Sequence, residues 1–531
     1  MKLTTVLAKC LLISGFVFSI LTSCKKSELT DAKAEDLFSD SLAGNKLAAT
    51  AAAAASGMLI ESTAGPVTSG EITAFKSYIQ ARSFPLNNWT PSNVWVYGQG
   101  GKTVQGMGVM FEVTEDRAIL DRLLQFIDKA IACRNDNLAA ASGGQRVMWT
   151  GNIEPVWPNT STTDQADAAQ GEIVGHIAYA AKLILSRPAL WNLTVGSGDA
   201  NGYGATYHAR ALTYVARCEE TSDYIRQYMV RTSDNKFYYP TLPGWTFFPG
   251  DPLPWNQQMM LNSAFQRLAE CHQVLGDAPA KITSYDQLVQ ISINWFLSSA
   301  VSKTSAAGTP VYFWNYALDS NPTSPEDTGH AQYDIGGFFQ AYLSGRYSIP
   351  LAAVQRFSNT IVDVMAHKES LGYPISGRID GTNSTAGGDN YLRERFLPIA
   401  VRYNQDEWDY LVNLDINSGE YSTNVWMTAH ILSEKNYRYV NGIPSGVVFY
   451  QNTNYAGTAS QSLPKGTYTL AQLAAKGVPN DWASSLRVPS GWKVTLYQSD
   501  NFAGTSWVQT ADNASLVAIG ANDSMSSCKI E

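Results

Sequence analysis

The strongest constraint on this chain is a repeat near its end. Tyr450-Gln-Asn-Thr-Asn-Tyr-Ala-Gly457 precedes Asn480-Asp-Trp-Ala-Ser-Ser485, and Tyr497-Gln-Ser-Asp-Asn-Phe-Ala-Gly504 precedes Asn522-Asp-Ser-Met-Ser-Ser527, in the same order. The surrounding texture is that of short strands, Val447 to Tyr450 and Lys493 to Tyr497, after a turn-rich linker at Asn441-Gly-Ile-Pro-Ser-Gly446. A β region is therefore expected from Val447 to Glu531. One Asn-Asp-x-x-Ser-Ser segment fits an ordinary turn or helix cap. Two copies, each behind a matching aromatic-to-glycine segment, define two half-domains.

The repeat resembles the βγ-crystallin family over about 85 residues. The resemblance implies an all-β Greek-key domain, in which the glycine takes a fold that a Cβ would obstruct and the aromatic packs against it. It also implies two calcium sites, and calcium favours hard oxygen donors. Carried over residue by residue, Trp482 through its carbonyl, Ser484 through its hydroxyl and Asp523 surround one ion. Ser524, Ser526 and Asp481 surround the other.

From about Leu42 to Val440 the apolar residues recur at three and four, as in Ala118, Leu120, Leu123, Leu124, Phe126, Ile127, Ala130 and Ile131. Helices are predicted near Ala168–Leu185, Gly204–Val230, Gln257–Leu275, Tyr285–Val301, His330–Leu343, Leu351–His367 and Thr423–Asn436. Long loops rich in Pro, Gly and aromatic residues separate them, notably Met148 to Pro158 and Leu242 to Trp255. Helical hairpins with such loops on one side point to a large all-α (α/α) toroid over 42–440, with a cleft on the loop face. A TPR-like scaffold is the alternative, although no strict period is visible. The fold class expected for the whole chain is multidomain, a helical toroid followed by a small all-β domain, joined by the linker 441–446.

The first residues read as an export signal: Lys2 and Lys9, an apolar run from Leu11 to Leu21, then Leu21-Thr-Ser-Cys24. This ending is similar to the lipobox of bacterial lipoproteins, which implies a signal peptide over 1–23, a lipid on Cys24 and a tether over 24–41. The expected location is exported and lipid-anchored, at the outer membrane in preference to the inner, with the face left open. A net charge of −8 gives no global basic field for nucleic acid. Cys133, Cys218, Cys271 and Cys528 form no CxxC pair, so neither a zinc nor a redox motif is indicated.

The helical region loosely resembles toroidal polysaccharide lyases of the alginate lyase kind, through its texture and the His330-Ala-Gln-Tyr333 segment. The resemblance implies β-elimination on a uronate-containing polysaccharide, with no cofactor for the chemistry. Asn256 with His176 or His330 is assigned to charge stabilisation, and Tyr316, with Tyr333 as substitute, to proton transfer. Trp149, Trp157, Trp255 and Trp314 suit sugar stacking or core packing. Arg393 and Arg395 suit a bidentate grip on a carboxylate or a solvated helix face. Asn256, Glu326 and Asp327 are also plausible helix caps. A glycoside hydrolase using two of Glu172, Glu326, Asp327 and Asp334, or a glycan-binding protein without chemistry, stays open, because one fold hosts all of these.

Overall fold

Asp116 accepts a hydrogen bond from the Ala118 amide and so begins a helix, Arg117–Ala132, whose Leu120, Leu123, Leu124, Ile127 and Ile131 all face the core. Thr68 with Glu71, Thr206 and Asn424 start three other helices by the same device. The computed structural model describes residues 57–84, 99–138, 145–160, 163–318, 325–443, 446–489 and 491–531. The expected signal peptide, the tether and Cys24 lie outside the described residues. Among the described residues, no helix is long and apolar enough to cross a membrane.

The helical region runs α1 (Ser69–Ala81), α2 (Gln99–Thr114), α3 (Arg117–Ala132), α4 (Ala169–Leu185), α5 (Tyr207–Met229), α6 (Trp255–Leu275), α7 (Pro279–Ser299), α8 (Thr328–Leu343), α9 (Leu351–Asn359), α10 (Phe396–Tyr403), α11 (Trp408–Ser418) and α12 (Val425–Val440). Neighbours in sequence mostly pack together, and α2 also packs against α12, which joins the early helices to the last. The closest helix pair, α4 and α6, depends on glycine. A Cβ on Gly171 would stand 2.6 Å from the Leu261 backbone, and one on Gly175 would stand 2.5 Å from Ser263 Oγ. Gly337 does the same for α8, where a Cβ would meet Met259 of α6 at 2.6 Å.

Two predicted helices end early. The one expected from Leu351 to His367 stops as an α-helix at Asn359 and continues as a wider π turn, Thr360–Met365. The Thr360 hydroxyl is the physical reason: it accepts from the Tyr312 amide at 3.0 Å and donates to the Tyr312 carbonyl at 2.9 Å, tying this turn to a strand. The helix expected to reach Val301 starts sooner, with Pro279 in its first turn, and ends at Ser299. Val301 instead opens a hairpin of Val301–Thr304 and Pro310–Phe313.

The C-terminal region has its own core, built on Val447, Phe449, Leu486, Val494, Leu496 and Trp492. One sheet orders the strands Ala456–Ala459, Val448–Asn452 and Ser485–Arg487; the other orders Ala503–Gln509, Val494–Ser499, Ser527–Ile530 and Gly466–Tyr468. Gly466–Tyr468 belongs to the first repeat yet pairs with Ser527–Ile530 of the second. Asn513 of the second repeat in turn bridges Leu486 of the first. The region meets the helices where Trp492 Nε1 donates to Asp406 Oδ1 at 2.7 Å.

Candidate active site and calcium motifs

The close approach at Gly171 and Gly175 leaves Glu172 and His176 on the same buried face of α4, with Glu172 Oε1 3.6 Å from His176 Nε2. Arg395, in the turn before α10, reaches across and pairs with Glu172. Its guanidinium lies 4.2 Å from the Tyr333 ring centroid and 4.6 Å from that of Trp426. Gly336 makes the room, because a Cβ there would stand 2.5 Å from the Arg395 side chain. Arg267 of α6 donates to the Gly175 carbonyl at 2.9 Å and lies over Tyr179 at 4.2 Å. Burial pushes the Glu172 carboxyl up, but the charges of Arg395, His176 and Arg267 outweigh it and hold it below its ordinary value.

A second ion pair flanks the first. Lys102 Nζ lies 3.2 Å from Glu394 Oε1, and Asn424 also donates to that oxygen. Burial raises the Glu394 carboxyl, whereas the Lys102 charge and the Asn424 hydrogen bond bring it down to about 2. Burial brings His430 down as well, to about 3, because it disfavours the charged imidazolium. On the outer side, the Tyr316 and His330 rings meet edge to face at 5.2 Å. The Tyr316 carbonyl accepts from the Trp255 amide at 3.3 Å, beside Asn256.

Several buried polar atoms on the elements that carry these residues have no partner. Glu172 Oε2, Asn256 Oδ1, Gln332 Oε1 and Arg395 Nε are buried and accept or donate no hydrogen bond. Each such atom costs about 1–3 kcal/mol if it stays unpaired, so each has hydrogen-bonding capacity to offer a polar partner. Asn256 is in the first turn of α6 but does not cap it; Pro254 holds the cap position.

Several sequence expectations need correction. Trp157 and Trp255 are 0% and 1% exposed, and Trp314 and Trp149 are also buried. The indole N–H groups of Trp157, Trp314 and Trp149 donate to the Ala130 carbonyl, Asp334 Oδ2 and the Tyr224 hydroxyl. These rings belong to the hydrophobic core, with too little exposed surface to stack on a sugar. Arg393 is committed to Asp389 at 2.9 and 3.0 Å, and neither it nor Arg395 lies on a solvated helix. Tyr333 is buried with its ring against Arg395, which suits it to holding that cation. Arg267, Trp426, Lys102, Glu394 and Asn424 were not singled out in the sequence. The Gly171/Gly175 spacing was the available signal, since it fixes which helix α4 can touch.

In the C-terminal region the two Asn-Asp-x-x-Ser-Ser segments face each other. The Asp481 amide donates to the Met525 carbonyl at 3.3 Å and the Asp523 amide to the Ala483 carbonyl at 3.1 Å. Both aspartates take positive φ, 51° and 48°. Ser484 Oγ lies 3.2 Å from Asp523 Oδ1, which brings together two residues assigned to one ion. At the other, Ser526 Oγ donates to Asn480 Oδ1 at 2.7 Å and reaches the Gln498 carbonyl at 2.9 Å, while Asp481 accepts from the Asn480 amide. Trp482 and Ser524 sit at the third position of each segment.

No family model matches the chain. Development-specific protein S of Myxococcus xanthus is 53% identical over 57 residues, which are 11% of this chain and 32% of that protein. Its homolog in the same organism is 41% identical over 63 residues, 12% and 35%. The chain thus spans about a third of the length of these curated relatives. A βγ-crystallin domain from Clostridium beijerinckii is 50% identical and covers 16% of this chain and 95% of its own, with a TM-score of 0.15. One from Flavobacterium johnsoniae is 41% identical and covers 16% and 92%, also at 0.15. By sequence identity and its repeated motifs, the C-terminal segment is a βγ-crystallin domain.

Proposed function

We propose that this chain is an exported lipoprotein that cleaves a uronate-containing polysaccharide by β-elimination, on a helical toroid, and that its βγ-crystallin domain binds calcium. The lyase reading is carried by the buried Arg395–Glu172 pair beside His176, together with Asn256 and the Tyr316–His330 pair, where Arg395 Nε, Glu172 Oε2 and Asn256 Oδ1 keep hydrogen-bonding capacity for a substrate. The proton at C5 of a uronate is weakly acidic until the neighbouring carboxylate is stabilised. Arg395 and Asn256 supply that stabilisation as charge develops. Tyr316 or His330 then removes the C5 proton, the C4–O bond breaks, and a proton returns to the departing oxygen, leaving a C4–C5 double bond. The carboxylates of the hydrolase alternative are engaged, Glu172 by Arg395, Asp334 by Trp314, Asp327 by His330 and Glu326 by the Asp327 amide, but Arg395 and His330 are engaged in the same pairs, so the products separate the two readings.

The packing of α2 on α12 favours the closed ring that a toroid requires. The exchange of strands between the two repeats favours the Greek-key arrangement. The facing segments offer carboxylate, amide, hydroxyl and carbonyl oxygens, the donor set that calcium prefers, and Asn522 Oδ1 is buried without a partner. Bound calcium adds binding energy that only the folded domain receives.

Incubation of the purified protein with uronate and neutral polysaccharides tests the main reading. Ultraviolet-absorbing unsaturated ends support it; reducing ends without them transfer the case to a hydrolase. Tyr316→Phe should lower turnover by about 100-fold or more with unchanged thermal unfolding, and wild-type turnover would remove Tyr316 from the mechanism. Cys24→Ser should leave the protein unlipidated and soluble.

A further inference from the structure

Asp327 uses one carboxylate for two tasks. Its Oδ1 accepts the His330 backbone amide at 3.1 Å and so caps α8. The His330 ring also turns back onto it, with Nδ1 2.8 Å from Oδ1 and 2.8 Å from Oδ2. An N-cap needs only the first of these bonds. The backbone that carries this carboxylate is held: the Asp327 amide donates to Glu326 Oε1 at 2.9 Å, and Asp327 forms a β-bridge with Arg378. Gly329 keeps the space open, since a Cβ there would stand 3.2 Å from Asp327 Oδ1.

An ionised carboxylate only accepts, so a neutral imidazole facing it through Nδ1 must carry its proton on that nitrogen. The lone pair is then on Nε2. We propose that Asp327 is a positioning residue that fixes His330 in the Nδ1–H tautomer, so that Nε2 is the ring nitrogen able to take a proton. The kinetic consequence rests on the lyase reading; the tautomer does not.

Nitrogen-15 NMR of the histidine rings in the unlipidated full chain reads the tautomer directly, with the His330 signals assigned by their loss in His330→Gln. The wild type should show His330 protonated at Nδ1. Asp327→Asn keeps a good helix cap but removes the charge and lets the amide present either its oxygen or its N–H group. The His330 signals should move toward the Nε2–H form, with thermal unfolding unchanged. On a uronate polymer, kcat should fall by about 100-fold or more at constant KM. Asp327→Ser, another cap without a ring acceptor, should behave in the same way.

A wild-type spectrum with Nε2 protonated overturns the proposal, and so does Asp327→Asn with an unmoved spectrum. Glu326, Asp327 and His330 also place ligand atoms within 4.8 Å of one another. A stoichiometric divalent ion that copurifies with the wild type and is lost from Asp327→Asn would overturn it as well, because Nδ1 would then bind metal. If no polymer is cleaved while the Nδ1–H form is present, the lyase reading falls and the positioning role stands.

Discussion

The two regions of this molecule place their chemistry in opposite ways. In the C-terminal domain each proposed ion site comes from two six-residue segments that carry hydroxyl, carboxylate and carbonyl groups side by side. In the helical region the cluster draws Glu172 and His176 from one helix, Asn256 and Arg267 from another, Tyr333 from a third, and Arg395 from a turn beyond them. Local chemistry survives in a linear reading, whereas assembled chemistry exists only after packing. The same difference should appear in how each region responds to damage.

The largest effect is expected at Arg395. Arg395→Ala leaves Glu172 buried without its main countercharge, and breaking a buried pair from one side costs about 3–5 kcal/mol. Chemical denaturation should show that loss, together with loss of activity; a stable, active variant would separate the cluster from both fold and function.

Acid should probe the same region. Glu394 has an ordinary value of 4.5 and is held down to about 2, so its contribution is fully present above 4.5 and is lost as pH falls from 4.5 through about 2. The loss is at most about 3 kcal/mol, and Glu394→Gln should remove that acid dependence. An unchanged slope in denaturation between these pH values would show that Lys102 and Asn424 do not hold the acid as the geometry implies.

For the β region, calcium at about 100 times its Kd should stabilise the domain by about 2.7 kcal/mol. Asp481→Ala with Asp523→Ala should abolish that shift in thermal unfolding while leaving the helical transition in place. A retained shift would reassign the ligands, with Asn480 and the Gln498 carbonyl as the groups already near Ser526. The smallest effect is expected between the regions. Asp406→Ala removes the acceptor of the Trp492 N–H, a hydrogen bond worth about 1 kcal/mol; calorimetry should then show the two transitions moving apart.

The sequence revealed most helices because their apolar residues keep a strict period, as the buried stripe of Arg117–Ala132 shows. It did not reveal where α9 would change to a π turn, since that depends on Thr360 meeting a strand far away in sequence. The candidate site was legible only in part. Two of the pairs the sequence named do come together, Glu172 with His176 and Tyr316 with His330, but the tryptophans chosen for sugar contact are interior, because position in a Pro-rich loop says nothing about which way an indole turns. Arg267 and Trp426 looked like ordinary helical residues until α4 and α6 were brought together by two glycines.

The traded strands of the C-terminal domain carry one more consequence. Gly466–Tyr468 completes the sheet of the second repeat, and Asn513 bridges the edge strand of the first, so the two repeats are tied together in both directions. A duplicated sequence normally allows one copy to decay while the other persists. Here a lesion in either copy is expected to disturb the sheet of the other. On that expectation the duplication provides little redundancy, and selection acts on the two copies together.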